Sequence, residues 1–451
     1  MKQRKAKLIS GPVGKGLISL TLPMIVGIFS IVAFNLADTY FVAQLGTKEL
    51  AAMGFIFPLV MLIGAMALGL GMGASSVISR TIGKGDQEKV RRFATDGLFL
   101  ALVIIFIFVV TGLLTIKPLF TLLGAPPDIL LLIRQYMTIW YIGMLFVVVP
   151  MVGNHAIRAT GDTKFPSLIM MISAGINVIL DPIMIFGLFG FPRLELAGAA
   201  LSTVIARTTS MILSLSILHF RERMIDFSIP RLHTLLESWK KILYVGIPAA
   251  GTNIMIPVSL GVITRLVAGF GPEAVAAVGA GGRVQTFALM VTMALAATMI
   301  PYIGQNWGAG RYERVRLAQK YSYSFSLAWG ILCFVVMAVL AKSIARLFSK
   351  EPLVIKGITW YLWIISIGYG FQGICRLTAS VFNAINKPLI SAGLNFFRLF
   401  VLYIPLSYVG GRYIGLKGVY WGVTVSNVAA GIISLLWIRR TCEREKKTGF
   451  M

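Results

Sequence analysis

Twelve stretches of predominantly apolar residues constrain this 451-residue chain more than any other feature. They lie at 16–42, 50–79, 93–115, 131–156, 166–189, 196–218, 240–266, 274–304, 318–341, 355–380, 388–410 and 416–438. A helix needs about 20 such residues to cross the hydrocarbon core of a bilayer, where every backbone polar group must be satisfied internally. Segments this long, with little alternation, do not suit an outer-membrane barrel. A composition that is 57% hydrophobic and 13% charged excludes a soluble domain of this size. The expected fold is an all-α polytopic membrane protein with twelve transmembrane helices.

A net charge of +25 would suit a nucleic-acid binder, but its placement points elsewhere. With the N-terminus set in the cytoplasm, 27 of the 42 Lys and Arg residues fall in cytoplasmic segments. This positive-inside bias predicts a multi-pass cell-membrane protein with both termini cytoplasmic and no nucleic-acid partner. The loop at 342–356, with Lys342, Arg346, Lys350 and Lys356, is the exception. The basic N-terminus followed by an apolar run resembles a signal peptide. That run carries Asp38 and lacks a small-residue cleavage pattern, so it is read as a retained first helix. Three cysteines (Cys333, Cys375, Cys442) and three histidines show neither disulfide nor metal-ligand spacing, and no cofactor is expected.

A shift of 225 residues lays the chain on itself. Pro23 falls on Pro248, Gly46 on Gly271, Gly54 on Gly279, Pro127 on Pro352 and Ala159 on Ala384. Gly83-Lys84-Gly85 with Val90-Arg91 falls on Gly308-Ala309-Gly310 with Val315-Arg316. Two six-helix lobes follow, 1–218 and 240–451, joined by a linker at 219–239. Six spans is an even number, so the lobes are parallel repeats, an arrangement typical of transporters. The Gly-x-Gly element lacks the strand and the Lys-Ser/Thr end of a phosphate loop and reads as a tight turn between two helices. No ATPase motif is present. Neither a metal cluster nor a nucleophile–base pair suggests an enzyme.

Only two of the 17 carboxylates, Asp38 and Asp181, fall deep inside spans. An acid at bilayer depth costs roughly 3 kcal/mol on insertion scales and usually marks an ion or substrate route. Asn35 and Asp38 share a helix face, as do Asn177 and Asp181. Ser202 and Thr203 add hydroxyls in the sixth span. At matching positions the second lobe has Ile263 and Ile404, so the acids belong to the first lobe alone. Pro182 frees the carbonyl of Val178 beside this group. Two carboxylates, an amide, a hydroxyl and a free carbonyl suit Na⁺, and the same carboxylates also suit a shared proton. A structural role as caps of broken helices is the plainer alternative. Pro23 offers a place for the first span to bend. Ala65, Gly69 and Gly73 form a small-residue stripe suited to close helix packing. Arg207, Arg283, Arg376 and Arg398 are expected by default to snorkel to a surface, with binding of lipid headgroups or of an anionic substrate as the alternatives.

The residues Asn35-Leu36-Ala37-Asp38, Asn177-Val178-Ile179-Leu180-Asp181-Pro182, Gly198-Ala199-Ala200-Leu201-Ser202-Thr203 and Arg158-Ala159-Thr160-Gly161-Asp162 resemble the multidrug and toxic compound extrusion (MATE) family, most closely its prokaryotic DinF-like branch. The resemblance covers essentially the whole chain. It implies two six-helix lobes of the MATE type that export cationic amphipathic small molecules by antiport with H⁺ or Na⁺. It also implies a cation-coupling site at Asp38, Asn177, Asp181 and Thr203, with Na⁺ as the metal it would hold. Asn35, Pro23, Pro182 and Ser202 would support or gate that site. The chain is expected to act as a monomer among membrane lipids. A flippase for a lipid-linked saccharide or lipid, from the same superfamily, is the alternative function. The chain has Phe34 where some relatives place a polar aromatic, and Ile263 leaves the second lobe without an equivalent acid.

Overall fold

Prolines and glycines punctuate the helices of the computed structural model, which describes residues 6–226, 228 and 231–447. The first half comprises α1 (Val13–Ala43), α2 (Thr47–Lys84), α3 (Gln87–Leu122), α4 (Pro127–Ala159), α5 (Lys164–Phe186) and α6 (Glu195–Ser216). The second comprises α7 (Leu232–Ala268), α8 (Pro272–Gly308), α9 (Tyr312–Phe348), α10 (Pro352–Ser366), α11 (Tyr369–Ala384), α12 (Pro388–Phe396), α13 (Ile404–Ile414) and α14 (Leu416–Lys447). Among the described residues there is no strand. Pro127, Pro272, Pro352 and Pro388 each open a helix, where the missing N–H costs nothing. The repeated Gly-x-Gly element is a turn between helices: Gly85 (φ +81°) ends α2 and Gly310 (φ +69°) follows α8, both left-handed.

Among the described residues eleven helical stretches are long and apolar enough to cross a membrane, and a bent pair, taken as one span, supplies a twelfth. That pair corrects the expected continuous span at 355–380: α10 and α11 meet at an angle of 55°. The start of α11 lies close against α9. A Cβ on Gly330 of α9 would collide with the backbone of Gly370. The interruption leaves carbonyls to be satisfied inside an apolar region. The Thr424 hydroxyl donates to the Ile364 carbonyl (2.8 Å), and the Ser326 hydroxyl to that of Gly370 (2.9 Å). The span at 388–410 is α12 and α13 joined by a wide π-helical segment, Phe397–Tyr403. Pro405 has no N–H to offer the preceding turn, and the widened turns absorb that loss. The stretch 219–239 already contains the opening turns of α7 at Leu232, after α6 closes in a π turn at Ile217–Arg221.

The chain folds as two compact units. One gathers Leu22–Ala250; the other gathers Leu8–Thr21 with the residues from Gly251 onward. In the first unit α4 is the central helix, packed on α2, α3 and α6 around Ile133, Met137, Tyr141 and Met144. The small-residue stripe lies against α7, as its spacing suggests. A Cβ on Gly69 would come within 2.5 Å of Ala250 Cβ, and one on Gly73 would strike the Ile242 carbonyl. In the second unit α11 packs on α8, α9 and α14. There Arg314 grips the chain ahead of α1. Its guanidinium donates to the carbonyls of Gly11 (2.7 Å), Leu8 (3.1 Å) and Ser10 (3.1 Å), while Gln305 and Asn306 hold the Leu8 N–H and C=O.

Candidate functional site

Asp181 is wholly buried on α5 despite its charge. Two neighbours fix its orientation. The Ser202 hydroxyl of α6 donates to Oδ1. The Asn177 side chain, one turn earlier on α5, donates through its nitrogen to Oδ2 at 2.8 Å. In this orientation, assigned from its partners, the Asn177 oxygen accepts from the Thr203 hydroxyl and backbone N–H, each at 3.3 Å. The i, i+4 spacing on α5 and the adjacent pair on α6 therefore close one polar cluster. α5 passes through Pro182 without a break.

Asp38, on α1, is within electrostatic reach of Asp181. It is partly buried, and no hydrogen bond to it is present among the described residues. The two acids are thus differently prepared: Asp181 is held in place, whereas Asp38 has no fixed partner. Asn35 stays on the exposed side of α1 and joins no side-chain cluster. Pro23 lies far along the same helix, which runs unbroken through it.

Tyr136, on α4, completes the neighbourhood and was not singled out in the sequence. It is 5% exposed and within electrostatic reach of both acids. Its signal was a phenol on the buried face of an apolar helix, hidden among 14 tyrosines. Beside the cluster is a small cavity of about 10 Å³, lined by Phe34, Ser173, Asn177, Thr203 and Arg207 among others. The Arg207 guanidinium lies 5.7 Å from the centre of the Phe34 ring, a cation–π contact rather than a reach to the surface. Oxygen ligands beside a phenol and an apolar wall can hold a small cation, and a change in its occupancy changes the charge next to Arg207.

Comparison with known proteins gives the lineage. The MatE family model matches twice, at residues 23–183 and 248–409, at the same interval as the internal repeat. An FAD transporter of Shewanella oneidensis is 38% identical over 448 residues, covering 99% of each chain. A probable multidrug resistance protein of Bacillus subtilis, YoeA, is 25% identical over 398 residues, covering 87% of this chain and 85% of its own. Among solved structures, the Vibrio cholerae MATE transporter VcmN superposes with a TM-score of 0.92 at 30% identity, covering 96% of this chain and 98% of its own. A MOP superfamily transporter from Pyrococcus furiosus gives 0.90 at 26% identity, with 99% of each chain covered. The protein is a multi-pass membrane transporter with small-molecule cargo, and it belongs to the MATE family.

Proposed function

We propose that this transporter is a secondary active exporter in which H⁺ or Na⁺ binding at Asp38 and Asp181 is exchanged for an aromatic cargo bearing phosphate, of the flavin dinucleotide class. The observation that carries the coupling is the buried Asp181, oriented by Ser202 and Asn177 beside an Asp38 that has no fixed partner. An acid left without a permanent counter-ion in an apolar helix is an arrangement whose charge is satisfied by a mobile cation. Residues Asn177 and Thr203 supply further oxygens for that ion. The protein would work in the cell membrane as a monomer, with both termini in the cytoplasm.

The cargo assignment rests on likeness and charge together. The relative named for FAD transport is 38% identical over nearly the full chain, against 22–26% for relatives named for multidrug resistance or export, such as YpnP and MepA. Arg207 in the cavity wall suits an anionic group better than a cationic drug. Export of cationic amphipathic compounds is the second reading, favoured by those multidrug relatives. Everted vesicles given a pH gradient or a Na⁺ gradient separately, and assayed with FAD and with ethidium, decide between the two. FAD movement driven by one gradient supports the first reading, and ethidium movement alone supports the second. Movement of neither compound under either gradient sinks antiport and leaves lipid flipping to be assayed.

A further inference from the structure

The second unit has the opposite electrostatic character inside. Its acids with described side chains (Glu273, Glu313 and Glu351) stand at helix beginnings. Arg283, within α8, is exposed, whereas Arg376 and Arg398 are withdrawn from solvent to differing degrees deep within their spans. Arg376 is eight residues from the end of α11, and Arg398 is ten from the start of α12. At 1.5 Å per residue these positions are about 12 and 15 Å from the short turn joining the two helices. The pair therefore shares one depth, and the two guanidiniums are within electrostatic reach of each other.

Arg398 does not behave as a snorkelling side chain, and Arg376 is partly buried. Arg398 is only 6% exposed, and its Nε has no hydrogen-bond partner among the described residues. Arg376 makes no hydrogen bond or ion pair there. Two like charges at bilayer depth with no carboxylate between them repel, and each also carries a desolvation cost. Arg398 sits in the π-helical segment, an irregularity often found at functional sites. One turn before Arg376, Gln372 accepts from Gln285 Nε2 (3.2 Å), which leaves its own amide nitrogen as a donor on the face it shares with Arg376.

We infer that Arg376 and Arg398 form an anion site in the second unit that takes the diphosphate of the cargo. Guanidinium forks match phosphate oxygens two at a time, and one dianionic group neutralises both arginines at once. The inference rests on the phosphate-bearing cargo proposed above and extends it: the first unit holds the coupling cation and the second holds the cargo's charge.

The test uses the full chain in lipid nanodiscs, with FAD, riboflavin (which lacks phosphate) and inorganic pyrophosphate as probes. Flavin fluorescence should show FAD bound more tightly than riboflavin. Arg376→Gln and Arg398→Gln should each weaken FAD at least about tenfold and leave riboflavin unchanged. Arg376→Lys and Arg398→Lys, which keep the charge but lose the fork, should fall between. Pyrophosphate should raise the melting temperature of the wild type but not of the Gln variants. Without ligand those variants should melt no lower than wild type, because each relieves the repulsion between the two cations and Arg398→Gln also removes a buried charge. Equal stabilisation of wild type and Gln variants by pyrophosphate overturns the site. Export of FAD by both Gln variants at the wild-type rate also overturns it, while the flavin reading stands. If FAD fails to bind but pyrophosphate stabilises wild type alone, the flavin reading falls and the anion site survives. If anionic lipid in the nanodisc abolishes the pyrophosphate effect, the occupant is a lipid headgroup and the cargo assignment is overturned.

Discussion

The Ser202 hydroxyl donates to the Asp181 carboxylate across the contact between α6 and α5, with both side chains removed from solvent. Ser202→Ala takes away that donor and leaves a buried carboxylate oxygen without it. The expected cost is about 1–3 kcal/mol. Thermal melting of the purified protein checks this, and an unchanged melting temperature would mean that Asp181 draws its orientation from Asn177 alone.

The two acids should separate in their mutational behaviour. Asp38 has no hydrogen bond among the described residues, so Asp38→Asn should change stability by no more than about 0.5 kcal/mol and yet abolish gradient-driven efflux. Asp181→Ala should abolish efflux and also destabilise, because it strands the Asn177 donor and leaves the Ser202 hydroxyl only the Ala199 carbonyl. Vesicle efflux and melting, measured on the same preparations, test the contrast. Wild-type efflux by Asp38→Asn would remove this acid from the coupling scheme.

The acids were legible in the sequence because charge is costly in an apolar helix, and the spacings on α5 brought Asn177 to Asp181. Tyr136 was not legible, since a phenol costs little there and aromatic residues are common in such spans. The break between α10 and α11 escaped for a related reason. Gly368 marks a weak point, but the close approach of the bent pair depends on Gly330 on another helix. The arginines were visible as residues with an anionic partner as one alternative to snorkelling, but only the burial of Arg398 separates the two.

Close approach of α2 to α7 depends on absent side chains. Gly69→Val and Gly73→Val each place carbon where Ala250 and Ile242 already stand. Each should cost about 1–3 kcal/mol or more through overpacking. Gly54→Val, where an added Cβ meets nothing within 4 Å, serves as the control and should be far milder. Expression level and melting temperature report the difference.

Arg314 satisfies three carbonyls of the segment before α1 and also donates to Asn306 Oδ1 at 2.9 Å. Charge-assisted bonds of this kind are among the stronger ones. Arg314→Ala should cost about 2–3 kcal/mol and expose the residues around Leu8 to protease. A digestion pattern identical to wild type would show that Gln305 and Asn306 suffice to hold the segment.

In the turn after α2, Asp86 caps α3 by accepting from the Lys89 N–H at 3.0 Å. The Lys89 side chain, and then its backbone N–H, hold the Asp86 carboxyl below the usual carboxylate range. A lowered value in the folded state means stabilisation that is complete above the ordinary range and lost as pH falls through the lower value. Hydrogen exchange in the first turn of α3 should therefore be insensitive to pH-dependent opening near neutrality and show faster opening only below about pH 4. Asp86→Ala should remove that acid limb at a cost of about 1 kcal/mol.

The assignment of Leu8–Thr21 to one unit and of α7 up to Ala250 to the other means that neither half of the chain is self-contained. A polypeptide ending in the linker would lack the α7 turns that cover Gly69 and Gly73, and would carry a stretch of α1 whose partners lie on the missing half. Each lobe thus lends the other a piece of helix. Exchanging lobes between relatives at the linker would sever these loans, whereas junctions at Thr21 and Ala250 would preserve them.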